Sequence, residues 1–242
     1  DNYSKLDTFQ KTATVGSLDQ QIKDQYSEGP MKAIAEQSIS KIGDLTADGS
    51  TEEVTLKTAI ASGDIDPQTM NNVLGLLDEQ GKSVDIAANI ITNVGAADFD
   101  RISQMASFIN NPEKQADFIV GFENKDPETT TTILDTLDKI GAIGGDQAIS
   151  VAVEWDDAKF KEVNAAYDKI DEMFADGQQM TYEQVVEQNI ILDEAGVNAF
   201  TADTDYFNSL PAAQQKVYIE RYLTVYETVT PAVATKWMAD QM

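Results

Sequence analysis

The chain has no cysteine and no histidine among its 242 residues. Without cysteine there is no disulfide framework, thiolate nucleophile, zinc finger or iron–sulfur cluster. Without histidine the commonest general base, the imidazole metal ligand and the usual physiological pH switch are absent too. Long apolar runs are also lacking. Phe118-Ile119-Val120 and Ile190-Ile191-Leu192 are core-sized, far short of the roughly 18 residues that a membrane span needs. No GxSxG elbow marks a serine nucleophile. The densest glycine cluster, Gly141 to Gly145, has no Walker lysine and reads as a helix end and tight turn.

Positive charge is scarce as well. There are 17 Lys+Arg against 42 Asp+Glu, a net charge of −25. Such a field repels phosphate backbones and anionic lipid surfaces, which argues against nucleic-acid and membrane partners. It also penalises the compact state unless salt screens it. A marine, halophilic or extracytoplasmic setting tolerates it best. The expected location is therefore the periplasm, the cell surface, the secreted fraction or a virion, with the cytoplasm of a salt-adapted organism as the alternative. The chain opens on Asp1 rather than Met. It reads as processed or as an excerpt of a longer protein, and a removed signal peptide is consistent with that.

What the chain does have is helix signals. Asp66-Pro67, Asn111-Pro112, Asp126-Pro127 and Thr230-Pro231 each place a capping residue before a proline at the first helical position. Ser17 with Gln20, Ser50 with Glu53, and Thr181 with Gln184 read as capping boxes. Apolar residues then recur at helical spacing: Met70, Val73, Leu74, Leu77; Val84, Ala87, Ala88, Ile91, Val94; Phe99, Ile102, Met105, Ile109; Phe160, Val163, Tyr167, Ile170, Phe174; and Ile219, Tyr222, Tyr226, Val229. Alternating strand patterns are nearly missing; Ala148 to Trp155 fits a short helix better than a strand. The fold expected is all-α, with some thirteen helices.

A repeat runs through the middle of the chain. Asp66-Pro67, Thr69, Val73-Leu74, Leu77-Asp78 and Gly81 return as Asp126-Pro127, Thr129, Ile133-Leu134, Leu137-Asp138 and Gly141. Phe99, Ile102 and Ile109 are echoed by Phe160, Val163 and Ile170. Stacked helical hairpins of the α-solenoid type bury a continuous core in this way. The expected organisation is an extended N-terminal arm at 1–15, a helical-repeat domain at 16–200 with its duplicated unit near 66–110 and 126–171, and a C-terminal helical cap or bundle at 201–242.

Three kinds of residue could carry function. Paired carboxylates with an aromatic neighbour, Glu154-Trp155-Asp156-Asp157, are the one catalytic option left, for cleaving glycans. The competing reading is that Asp156 or Asp157 caps a helix while Trp155 packs. Asp44 and Asp48, and Asp203 and Asp205, lie in short acidic stretches that could gather Ca²⁺ through oxygen ligands. Neither stretch completes an EF-hand, since the closing glutamate of the first falls on Thr55. A further acidic turn, Asp176-Gly177, precedes the Thr181 cap. No cofactor is called for beyond that Ca²⁺ possibility. Finally, Tyr218, Tyr222, Tyr226 and Trp237 crowd the C-terminal region and form a candidate protein interface.

By elimination, the expected function is a non-enzymatic structural or adaptor subunit of a larger extracytoplasmic or virion assembly. It would bind other protein chains or copies of itself. The alternatives are a carboxylate-based glycan-acting enzyme, or a periplasmic binding module for a cationic or polyhydroxylated ligand.

Overall fold

The computed structural model describes residues 2–188 and 204–228, with side chains from residue 13 onward. Among these residues there are twelve helices and no strand. They are α1 (Asn2–Gln25), α2 (Pro30–Leu45), α3 (Thr51–Ala61), α4 (Pro67–Glu79), α5 (Asp85–Val94), α6 (Ala96–Ala106), α7 (Pro112–Val120), α8 (Pro127–Ala152), α9 (Asp157–Met173), α10 (Tyr182–Glu187), α11 (Thr204–Ser209) and α12 (Ala212–Thr228). The chain divides into two compact units, residues 1–134 and 135–242.

Local chemistry accounts for most helix starts. The Asp66 carboxylate accepts from the Gln68 and Thr69 amides, and the Thr69 hydroxyl donates back to it at 2.6 Å. Asp126 repeats the device: its carboxylate accepts from the Thr129 amide and hydroxyl, each at 2.8 Å. Those bonds hold the Asp126 carboxyl below the usual carboxylate range. Asn111 accepts from the Lys114 amide, and Thr181 forms a reciprocal capping box with Gln184. Thr230-Pro231 lies outside the described residues.

Other expectations are corrected. Residues 2–15, expected as an extended arm, are helical as part of α1. Ser17 therefore sits inside that helix and caps nothing. Among the described side chains of α1, Val15, Leu18 and Ile22 are buried, and α1 packs on α3. Ser50 does cap α3, but the Glu53 carboxylate reaches back to the Gly49 amide at 2.7 Å rather than to that of Ser50. In α5 the buried face carries Ile86, Ala87, Ala88 and Ile90, while Ile91 and Val94 are half-buried.

In the first unit, α1 packs on α3, α2 on α4 and α3 on α5, after which α5, α6 and α7 pack in succession and α4 meets α6 and α7. This is a stack of helical hairpins. Its core includes Ile22, Ile42, Leu56, Ile60, Leu74, Leu77, Ile90, Phe99 and Ile102, all fully inaccessible to solvent. Burying one such side chain contributes roughly 1.5–3 kcal/mol. Polar bonds tie the layers together: Ser38 donates to the Pro67 carbonyl at 2.9 Å, and the Asn71 amide donates to the Ile34 carbonyl at 3.2 Å.

The second unit contains the remainder of α8 with α9 to α12, with α9 against α12, and α11 against both α10 and α12. The Phe160, Val163, Tyr167, Ile170, Phe174 stripe is wholly buried. Gln215, fully inaccessible, uses its amide at both ends. Nε2 donates to the Met180 and Phe207 carbonyls, and Oε1 accepts from the Met180 amide. That anchors the segment entering α10.

The two copies of the repeat share a cap and a stripe. Met70, Val73, Leu74 and Leu77 are buried, and so are Thr130, Ile133, Leu134 and Leu137 at the same offsets. They part company at the end. Gly81 has φ +66° and closes α4, with the Lys82 amide bonded to the Leu77 carbonyl at 2.8 Å. Its counterpart Gly141 stays helical, and α8 is broken instead at Gly145 (φ 69°, ψ −168°).

Candidate functional site

The acidic stretches do not converge on a metal-like cluster. Asp44 lies in the last turn of α2, exposed and accepting from the Ser40 hydroxyl at 3.4 Å. Asp48 is exposed in the turn that Gly49 closes at φ 68°. The carboxylate that does fold back into that turn is Glu53, which is bonded to the Gly49 amide and to Lys57. Asp205 is exposed in the first turn of α11, and Asp203 lies outside the described residues. Among the described residues no group of three or more acids is close enough to hold a metal ion.

The carboxylate run before α9 serves the helix. Asp156 accepts from the Lys159 amide at 2.8 Å as the N-cap, and Trp155 packs its ring on Phe160 at 5.5 Å.

The C-terminal tyrosines divide by burial. Tyr222 is 2% exposed and belongs to the core, stacked on half-buried Tyr226 at 6.0 Å. Tyr218 is half-buried, with its ring 5.8 Å from Phe207 and 6.1 Å from Tyr206. Trp237 lies outside the described residues. Three large apolar residues are exposed among the described ones, Val151, Tyr206 and Val217. Two of the three share a groove of about 300 Å³ on α11 and α12, lined by Tyr206, Leu210, Val217, Tyr218 and Arg221. Of these five, the two tyrosines belong to the aromatic cluster that the C-terminal sequence shows. Leu210 and Val217 fall outside the Ile219–Tyr222 stripe, and only the angle between α11 and α12 unites them with Tyr206.

An ion network joins α8, α9 and α12. Asp171 receives Lys139 at 2.9 Å and Lys216 at 2.6 Å, and Lys216 lies 3.8 Å from Glu220. Burial alone would raise the Asp171 carboxyl, but the hydrogen bonds from Lys216 and Lys139 outweigh it and hold the group below its ordinary value. Its bond to Asp171 raises the Lys216 ammonium. Burial pushes Glu220 up. Within the same layer the Tyr167 hydroxyl meets the Thr224 hydroxyl at 2.6 Å, and Lys139 sits 5.1 Å over the Tyr167 ring. Burial pushes the Tyr167 phenol up to about 12. A phenol that stays neutral in this way, bonded to a threonine, holds helices together. Sequence spacing alone does not reveal the network, because its members come from three helices.

No described helix is both long and apolar enough to cross a membrane. Comparison with protein-family models, with curated proteins and with solved structures finds no match for this chain.

Proposed function

We propose that this chain is a non-enzymatic, protein-binding subunit of a larger assembly working in a salty, extracytoplasmic setting or in a virus particle, and that the groove on α11 and α12 is its contact surface. The observation that carries the reading is the pairing of exposed Tyr206 and Val217, 43% and 45% accessible, across one groove. Two exposed large apolar side chains gathered in one groove beside an arginine support a small protein contact. Tyrosine and arginine are the residue types that most often anchor one. Arg221 lies on the rim, and no ion pair joins it to a described residue. The groove therefore suits a partner segment that offers an apolar side chain with a hydrogen-bond acceptor or carboxylate beside it. The chain's net charge of −25 makes the partner as a whole neutral or basic.

The test is a photo-crosslinking side chain placed at position 217 in cells that make the protein, with an identical probe at exposed Asp176 as control. The expected result is one discrete adduct from position 217, lost on Leu210→Asp or Arg221→Glu and absent from the control. Adducts of equal intensity from both positions, or an adduct indifferent to both substitutions, would overturn the assignment.

A further inference from the structure

The first unit holds a separate open cleft of about 340 Å³ between α4, α6 and α7, at the lower end of the range for small-molecule sites. The chain is 24% charged, yet no residue lining this cleft is charged. Its polar rim is formed by Thr69, Asn72, Ser103, Gln104, Ser107 and Gln115, over a floor that includes Val73, Leu76 and Ile119.

The hydrogen bonds already made on the rim determine what remains to be offered. Gln104 donates its Nε2 to the Asp100 carboxylate at 2.7 Å, and Gln115 donates its Nε2 to the Ile109 carbonyl at 2.6 Å. Both of those partners can only accept, so the amide orientation of each glutamine is settled. Each Oε1 is left without a hydrogen bond to a described residue. The hydroxyls behave likewise. Thr69 donates to Asp66, Ser103 to the Phe99 carbonyl and Ser107 to the Gln104 carbonyl. Each of these three hydroxyl protons is committed to an acceptor within the protein, and the oxygens keep acceptor lone pairs. Spare donors remain as well: the second N–H of Gln104 Nε2 and of Gln115 Nε2, and Asn72 Nδ2, whose Oδ1 accepts from Gln68 at 2.7 Å.

The cleft therefore offers neutral acceptors and neutral amide donors over an apolar base. An anion finds no cationic side chain in the lining and a surrounding negative field. A cation finds no carboxylate in the lining to offset its desolvation. We infer that this cleft is a binding site for a small, uncharged polyhydroxylated molecule, such as a cyclitol or a one- or two-ring sugar. The molecule's hydroxyl protons would be accepted by Gln104 Oε1, Gln115 Oε1 and the Ser103 and Ser107 oxygens, while its C–H surface would lie on Val73, Leu76 and Ile119. The site is independent of the groove on α11 and α12.

Two-dimensional amide NMR on the full chain, titrated separately with myo-inositol, trehalose, putrescine and citrate, tests the assignment. The expected result is a saturable shift with at least one of the two polyols, at millimolar affinity or tighter, confined to residues 69–76, 103–107 and 115–119. Gln104→Met removes one acceptor on an exposed helix face and should weaken that binding about fivefold, the worth of one ordinary hydrogen bond. Ser103→Leu should fill the cleft and abolish it. Gln104→Glu keeps an acceptor and should leave polyol binding in place while creating a putrescine response. No saturable shift with either polyol, a putrescine shift in the parent protein larger than the polyol shifts, or perturbations spread over both compact units would each overturn the inference.

Discussion

Lys57 is 2% exposed and lies between Glu53 at 2.9 Å and Asp19 at 2.7 Å. An adjacent Glu–Lys pair at i,i+4 looks in sequence like an ordinary helix surface. Here it faces inward because α1 covers α3 and supplies Asp19. Removing one partner of a buried pair leaves an uncompensated charge. Lys57→Met should thus cost about 3–5 kcal/mol, and adding Glu53→Gln should recover a good part of it, because glutamine can still accept from Gly49. A double-mutant cycle in urea checks this, and equal costs for the single and double variants would mean that the charge was not at issue. Tyr167 gives a pH-dependent counterpart. Its folded phenol sits near 12 against an ordinary value of 10.0. Between those values the unfolded chain loses the proton and the folded one keeps it, so stability falls as pH rises. The linked loss reaches about 2 kcal/mol by pH 12, because each tenfold difference in proton affinity between the two states is worth roughly 1.4 kcal/mol. Tyr167→Phe should cost about 1 kcal/mol at neutral pH, since the Thr224 hydroxyl still has the Glu220 carbonyl as acceptor. That deficit should shrink and then reverse towards pH 12, measured by denaturant melts at pH 7, 10 and 11.5. A deficit independent of pH would place the Tyr167 phenol in solvent.

At the scale of elements, α8 is the informative one. It starts with the same Asp-Pro-x-Thr cap and the same buried stripe as α4, yet continues past Gly141 where α4 stops before Gly81. The break comes at Gly145, whose φ of 69° and ψ of −168° belong to a region nearly reserved for glycine. A Cβ on Gly145 would meet nothing within 4 Å, so substitution there tests the backbone alone. Gly145→Ala should destabilise by about 1–3 kcal/mol with no loss of core packing. Gly144→Ala meets a different obstacle, because its Cβ would lie 2.6 Å from the Ala148 Cβ and 3.1 Å from Thr224. Thermal melts of the two variants separate the effects: a second substitution, Ala148→Gly, should partly rescue Gly144→Ala and leave Gly145→Ala unchanged. Rescue of both, or of neither, would contradict this account of the break.

For the molecule as a whole, charge sets the conditions under which it folds. Even with all 17 Lys+Arg paired, 25 of the 42 acids have no cationic partner. Folding brings those carboxylates closer together than the unfolded chain holds them. The Debye length shrinks from roughly 30 Å at 0.01 M salt to about 8 Å at 0.15 M, so added salt relieves the compact state more than the open one. The melting temperature should climb steeply from low salt to marine strength. NaCl, MgCl₂ and CaCl₂ should act alike at matched ionic strength, since Asp44, Asp48 and Asp205 do not converge. A melting temperature flat across a NaCl series would remove the screening argument and the salty setting inferred from it. Saturation at micromolar Ca²⁺ would instead reveal a specific site.

Several features could be read before any coordinates. The helical class, the caps at Asp66, Asn111, Asp126 and Thr181, and the buried stripes at Met70–Leu77 and Phe160–Phe174 all follow from short-range rules. A cap needs three neighbouring residues, and a stripe needs only the 3.6-residue period. The repeat was legible for the same reason, as far as its cap and stripe. What tertiary structure decided involves residues far apart in the chain. Whether Lys57 and Glu53 face solvent depended on where α1 lay. Ile90 rather than Ile91 points inward because α5 must fill the space between α3 and α6. Tyr222 was claimed by the core, whereas Val217 and Leu210 surfaced beside Tyr206 through the packing of α11 on α12. The uncharged cleft likewise exists only once α4, α6 and α7 meet. Helix formation is a local energy, but which face of a helix reaches solvent is settled by the neighbours that bury the other.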